Sequence, residues 1–330
     1  MTWTIRAFGS RRAAPELERP TALALQGGGA YGAFAWGVLD RLLEEPSFRP
    51  AGISGASAGA VNAVVAATGY LTAGREGART ALRLLWEQVG KMSLFSPLGL
   101  PGAGLQFDLL SRILSPYQFN PLNINPLRDV LNDLVDFERL RGKSGFPLFI
   151  SATDVSTGTQ RIFRETELSI DVLMASACIP YISQAVEIEG RAYWDGGFSS
   201  NPPIMPLVLE LGCGELLLVK LTPECEPALP TTAPEIFARL KRILFNAPLL
   251  HDLDALREMQ ALLHRTRLLP ADLRRLRDLK LRQIAIDDSF FSAANGSALD
   301  PNPDQLARLH DAGRRAAQDY WVQRQAAGRS

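Results

Sequence analysis

Two strand–turn–helix units follow one another near the start of the chain, and they limit the fold more than any other feature. In the first, Thr21-Ala22-Leu23-Ala24-Leu25-Gln26 reads as a short buried strand that runs into Gly27-Gly28-Gly29-Ala30-Tyr31-Gly32. Phe34, Val38, Leu39, Leu42 and Leu43 then recur at helical spacing and predict a helix ending near Pro46. In the second, a strand over Ala51–Ser54 enters Gly55-Ala56-Ser57-Ala58-Gly59, and a small-residue helix continues through Val61 and Val64 to Thr68. Two such units in succession predict a parallel sheet with right-handed crossovers and helices on both faces. Their turns then emerge side by side at the carboxyl edge of the sheet, where ligand sites of open α/β sheets lie.

Each turn has a chemistry of its own. Gly55-x-Ser57-x-Gly59 between a strand and a helix puts a serine on a strained backbone with its hydroxyl turned outward. Such short motifs of common residues remain hypotheses until their context agrees. In the other turn, the backbone N–H groups of Gly27, Gly28 and Gly29 can be approached closely, and the helix dipole behind them favours negative charge.

A serine nucleophile needs a base. Histidine is the usual partner, but His251, His264 and His310 all lie in C-terminal helical patterns rather than at glycine-marked loops. The order Ser57, Asp195, His251 would fit a hydrolase triad and is the weaker choice. Asp195 is the stronger candidate. It ends the aromatic segment Arg191–Trp194 and precedes Gly196-Gly197, so an open turn could carry its carboxyl to a neighbouring loop. Burial would lift its pKa towards that of a general base. Taken alone, Asp-Gly-Gly is also an ordinary hairpin turn.

Further elements are read from the same patterns. Helices are predicted over residues 75–91, Asn125–Leu134, Ile170–Ser176, onward from Pro203, and over 303–324. Strands are predicted at Pro147–Thr153, Gln160–Phe163, Glu215–Leu221 and Leu279–Ile286. Residues 1–20 read as a mobile tail. Residues 92–124 read as a packed loop or, alternatively, a lid over the site. Residues 236–282 are leucine-rich and basic, with eleven Lys/Arg against five Asp/Glu. They suit a solvated helical cap or, alternatively, contact with an anionic membrane surface.

The formal net charge of +0 argues against nucleic acid as a partner. The three cysteines are odd in number and lack metal-ligand spacing, so they read as reduced thiols in a cytosolic-type compartment. No run of about 18 apolar residues suggests a membrane span. Neither a metal nor a cofactor is expected; a cytoplasmic protein is, with peripheral membrane contact through the basic C-terminal helices as the alternative to a plain helical cap.

The ordered set Gly27-Gly28-Gly29-x-x-Gly32, Gly55-x-Ser57-x-Gly59 and Asp195-Gly196-Gly197 closely resembles the patatin-like phospholipases, lipid acyl hydrolases that use a Ser–Asp dyad. The resemblance covers residues 21–222. It extends to Ala152-Thr153-Asp154, Ala175–Pro180 and Asn201-x-Pro203. It implies a three-layer α/β/α fold with a mainly parallel sheet for that stretch, whereas residues 223–330 read from their own pattern as a mostly helical C-terminal region packed on it. It implies Ser57 as nucleophile, Asp195 as base, and the N–H groups of Gly27, Gly28 and Gly29 as oxyanion hole. The substrate class implied is a lipid or other fatty acyl ester. Two positions depart from the family pattern. Gln26 stands where an acidic residue is frequent, and Tyr31 where a basic one is.

Two other readings remain open at this point. Gly27-x-Gly29-x-x-Gly32 also matches the dinucleotide-binding fingerprint, although Gly52–Gly55 lacks the acidic residue it wants at the second strand's end. A non-catalytic lipid-binding or scaffold protein could share the same fold.

Overall fold

The computed structural model describes residues 20–95, 114–142, 145–223, 226, 228–291 and 301–327. In chain order the elements are β1 (Thr21–Leu25), α1 (Gly32–Glu44), β2 (Pro50–Gly55), α2 (Ala58–Phe95), α3 (Pro126–Leu134), α4 (Phe137–Gly142), β3 (Leu148–Asp154) and β4 (Gln160–Arg164). They continue with α5 (Ile170–Ser176), β5 (Val186–Ile188), β6 (Arg191–Asp195), α6 (Met205–Leu211), β7 (Glu215–Lys220), α7 (Ala233–His264), α8 (Ala271–Arg277), β8 (Lys280–Ala285) and α9 (Pro303–Ala327).

One mixed sheet joins the described strands in the order β5-β6-β3-β2-β1-β7-β8, with β4 also paired to β3. The run from β3 to β8 is parallel. β4, β5 and β6 pair antiparallel. The strand period of two divides each central strand between two cores. Leu23, Leu25, Leu217 and Val219 face a layer built from α1, α2, α5 and α9. Ala22, Ala24, Leu216 and Leu218 face α6 and α7. The α/β layering is thus the one the sequence implies. β8 adds a strand to the same sheet, so residues beyond 222 share its core.

The two helices predicted over 58–68 and 75–91 form the antiparallel halves of α2, which folds back at Ala73 and Gly74, where Gly74 takes φ +61°. Across the hairpin the Trp86 indole donates to Asn62 Oδ1 at 2.9 Å, and Asn62 Nδ2 donates to Gly32 O. Of the segment 92–124, residues 96–113 lie outside the described residues, as do residues 1–19 of the N-terminal tail. The remainder contains a helical turn at Pro116–Phe119.

α9 crosses α1 with the two backbones in contact. A Cβ on Gly37 would lie 2.0 Å from His310 O, and one on Gly313 would lie 2.1 Å from Phe34 O. Beside this crossing Asp40 receives hydrogen bonds from Arg79 and Arg314 and faces His310. Burial pushes its carboxyl pKa up, but His310, Arg79 and the Arg314 charge more than reverse this and hold it well below the usual carboxylate range. At the amino end of β7, Glu215 bonds Tyr320 and lies 3.5 Å from the Arg324 guanidinium, which fixes the other end of α9. Gly37→Ala should therefore prise α9 from α1 and lower stability by about 2–3 kcal/mol, because neither helix backbone can give way. An unchanged urea midpoint would show that α9 contributes little to that interface.

Candidate active site

The site follows from how β3 distributes its partners. β4 pairs with Phe149–Thr153, a stretch that overlaps the registers of both β2 (Leu148–Ile150) and β6 (Ala152–Asp154). β4 therefore takes one edge of β3, while β2 and β6 lie end to end along the other. They run towards each other, and their carboxyl ends meet, with Gly55 opposite Ile150 and Asp195 opposite Ala152. Ser151 sits at this junction, where its Oγ donates to Ser200 O at 2.9 Å. A Cβ on Gly196 would fall 2.2 Å from Ser151 O, so only glycine lets the Asp195 turn close against β3.

Ser57 lies two residues beyond β2, with φ +52°. For a residue with a Cβ this left-handed backbone is strained, and it persists because the surroundings hold it. Ser176, at the end of α5, is one of the supports: its Oγ accepts the Ser57 N–H at 3.0 Å. Another is the close packing of the turn on β1. A Cβ on Gly59 would lie 2.1 Å from Leu25 O, and one on Gly55 would lie 2.5 Å from the Gly59 carbonyl carbon.

Asp195 is fully buried at the end of β6. Its N–H donates to Cys178 O at 2.8 Å, and its carbonyl accepts from Thr153 Oγ1 at 2.7 Å. Oδ1 accepts the Gly197 N–H at 2.7 Å. Burial pushes the carboxyl pKa up to about 7, against the opposing effects of the Ser57 hydroxyl and the Gly197 N–H. The Ser57 hydroxyl is thus close enough to act on the carboxyl, yet the hydrogen bond to Oδ2 is not closed. Resting geometries of this kind tighten when substrate binds. His251 is exposed on α7 and His310 stacks on Trp36 in the α1–α9 layer, so neither partners Asp195. The Asp195–His251 order is a coincidence of sequence.

The glycine turn lies against the serine turn, since a Cβ on Gly27 would meet Ala56 O and Ser57 Cβ at 2.7 Å. One finding refines the expected oxyanion hole. The Gly27 N–H donates to Asn201 Oδ1 at 2.7 Å and is not free for a substrate. Gly28 and Gly29 follow, the latter at φ +58°. Gln26 faces the end of β7, where its Oε1 accepts the Leu221 N–H at 2.6 Å. This neutral contact gives amide chemistry a use at a position where the family often has an acid. Tyr31 is buried, and burial raises its hydroxyl pKa against the nearby Arg242 charge.

The sequence patterns read α7 as part of a helical cap or a membrane contact and gave it no place in the site, yet it takes part in it. Phe245 stacks edge-on against Phe198 with centroids 4.6 Å apart. It also leaves no room for a Cβ on Gly197, which would lie 2.5 Å from its ring. Asn201 Nδ2 donates to Phe245 O at 3.0 Å, so one buried side chain ties α7 to the glycine turn. The Thr222 hydroxyl lies between Gln26 Oε1 at 3.2 Å and Asn246 Oδ1 at 2.9 Å. Asn201 and Ser176 stand within segments that the family resemblance marks. For the α7 residues no local signal exists, because they reach the site only through the tertiary fold.

A strained strand-to-helix serine beside a buried aspartate, under a glycine turn at the carboxyl edge of an α/β sheet, places the chain in a recognised class. The family model described as patatin-like phospholipase matches residues 23–208, and the chain belongs to that family. The uncharacterized protein YjjU of Escherichia coli K12 is 27% identical over 234 residues, which make up 69% of this chain and 58% of YjjU. The chain therefore spans less than two thirds of that relative. Among solved structures, VipD from Legionella pneumophila aligns over 92% of this chain and 66% of its own at 16% identity, with a TM-score of 0.43. The type III effector ExoU aligns over 93% of this chain and 53% of its own, also at 16% identity, with a TM-score of 0.37. The dinucleotide reading loses its ground, since β2 ends in Gly55 rather than in an acid. No helix among the described residues is long and apolar enough to cross a membrane.

Proposed function

We propose that the protein is a serine lipid acyl hydrolase that cleaves fatty acyl esters through Ser57 and Asp195. The observation that carries this reading is a left-handed Ser57 facing a wholly buried Asp195 whose pKa lies near neutrality. A carboxylate poised there can hold a proton during the reaction and give it back.

In the proposed cycle the ester carbonyl oxygen lies against the N–H groups of Gly28 and Gly29, and Gly27 fixes the turn through Asn201. Ser57 Oγ attacks the carbonyl carbon while its proton passes to Asp195 Oδ2. The C=O electron pair moves onto the oxygen, where the glycine donors and the helix dipole stabilise it. The oxyanion collapses, the ester C–O bond breaks, and the leaving alcohol takes the proton from Asp195. An acyl group now sits on Ser57. Water then gives a proton to Asp195 and its oxygen attacks the acyl carbon. Collapse of this second oxyanion returns the proton to Ser57 Oγ and releases the fatty acid. The ester, water and these residues account for every bond and proton.

The direct test is labelling with a fluorophosphonate, which needs the same attack by Ser57 and expels fluoride. The expected result is one phosphonyl adduct on the peptide containing Ser57, prevented by prior incubation with a fatty acyl ester. Labelling at another residue, or none on a protein that also fails to hydrolyse esters, would refute the assignment.

A further inference from the structure

We propose that Asn201 is a positioning residue for the reaction, a clamp that fixes the oxyanion donors of the glycine turn relative to the base. The proposal rests on the hydrolase reading above and adds to it the group that sets the direction of the Gly28 and Gly29 N–H groups.

Donors that stabilise an oxyanion must point at it before the charge develops. Three glycines in succession cannot keep a direction by themselves, because each has the widest backbone freedom of any residue. Their partners must hold the turn, one rigid peptide plane at a time. The Gly29 N–H shares its plane with Gly28 O, which accepts the Tyr31 N–H at 3.2 Å. The Gly27 N–H lies in the plane before Gly27, and Asn201 Oδ1 accepts it at 2.7 Å. The plane between these two carries the Gly28 N–H and is oriented by both. Tyr31 belongs to the turn itself. Asn201 stands 174 residues further along the chain, so its bond ties the turn to the rest of the site.

Asn201 is built as a fixed point. Its side chain is 0% exposed. Its Nδ2 donates to Phe245 O at 3.0 Å, so the amide has one orientation: the oxygen must meet the N–H, and the nitrogen the carbonyl. Its backbone continues the turn that carries the base. There the Ser199 and Ser200 N–H groups donate to Gly196 O at 3.1 and 2.8 Å, and Ser200 O accepts from Ser151 Oγ of β3. Asp195 and Asn201 thus stand at the two ends of one closed turn. The first faces Ser57, and the second holds Gly27. Base and oxyanion donors are set against each other through that turn. The Gly27 N–H serves by being held, which separates a clamp from a third oxyanion donor.

The test compares Asn201→Leu with Asn201→Ala. Leucine keeps the branched shape of asparagine without its oxygen, and alanine loses both. Each variant is measured for kcat and KM on a soluble p-nitrophenyl acyl ester, and for Ki with a trifluoromethyl alkyl ketone. Ser57 Oγ adds to the ketone carbon, the serine proton passes to Asp195, and the ketone oxygen becomes an oxyanion. Ki therefore reads the donors in folded molecules, whatever fraction of the sample is folded. The expected result, alike in both variants, is a KM within about twofold of the wild type, with kcat lowered and Ki weakened by about 10²-fold. A residue that only filled space would be restored by leucine and would leave Ki unmoved. Wild-type Ki in either variant would overturn the proposal. So would a tighter Ki, since the freed Gly27 N–H would then have joined the hole. A chain that folds with neither residue would overturn it too, because Asn201 would serve the fold alone. A wild type that neither turns over the ester nor binds the ketone would refute the hydrolase reading, and the clamp with it.

Discussion

Ser57→Ala should lower kcat on a soluble p-nitrophenyl acyl ester by at least about 10⁴-fold while leaving the fold intact. The effect is this large because Ser57 supplies the only covalent route in the proposed cycle. The glycine N–H groups alone can do no more than polarise a carbonyl. Ser57→Gly makes a sharper companion. Glycine takes the backbone of φ +52° without strain, so this variant should be equally inactive yet more stable than the wild type by about 1 kcal/mol. Together the pair separates chemistry from geometry. Turnover in either variant would remove Ser57 from the reaction. A Ser57→Gly protein less stable than the wild type would mean that the turn is held by the serine side chain rather than strained for its sake.

Asp195→Asn should have two effects of opposite sign. Without a base, kcat should fall by about 10³-fold or more. Stability at alkaline pH should rise. Burial lifts the Asp195 pKa to about 7 in the folded protein. The unfolded value is about 4, so between these values the folded chain binds more protons than the unfolded one, and stability falls as pH rises through that window. Above it the loss is complete, amounting to about 4 kcal/mol for a shift of about three units. Asparagine has the same shape, keeps an oxygen for the Gly197 N–H and never ionises. Urea unfolding at pH 8 should therefore show Asp195→Asn stabilised by up to about 4 kcal/mol, and at pH 4 the difference should vanish. An equal gain at both values, or a loss at pH 8, would show that burial does not destabilise the ionised form. In the wild type, kcat/KM should climb with pH and level off above about pH 7, as the free base becomes ionised.

The parts of this molecule that were legible in the sequence are those whose meaning is local. The glycine turn, the serine turn and Asp195-Gly196-Gly197 each announce a sharp reversal at a strand end. Two consecutive units of the same kind fix a parallel sheet. Leu23 and Leu25 on one face, against Ala22 and Ala24 on the other, likewise follow from strand alternation and burial on both sides. What stayed hidden depends on distant partners. That Asn201 would occupy the Gly27 N–H cannot be read from either segment, because the bond exists only once β6 abuts β2. The contact of Gly37 with the His310 backbone is equally silent, since a glycine inside a helix looks only like a weak helix former. α7 was the hardest case: its leucine-rich pattern predicted a helix, but not that Leu249, Leu253 and Leu256 of its second half would pack on the sheet while Ile236, Leu240, Ile243 and Leu244 of its first half face outward.

The end-to-end meeting of β2 and β6 on one edge of β3 also sets an order of events during synthesis. Ser57 leaves the ribosome early with β1, α1 and β2, while Asp195 arrives only after β3, β4 and α5 have been made. Under the proposed mechanism a nascent chain carries a nucleophile with no base, and the stretch of β3 that β6 will pair with, beyond the end of β2, remains vacant. Contacts between segments so distant in sequence form late in folding, after their loops have closed. In the proposed reaction, hydrolytic competence would thus appear only with the finished sheet.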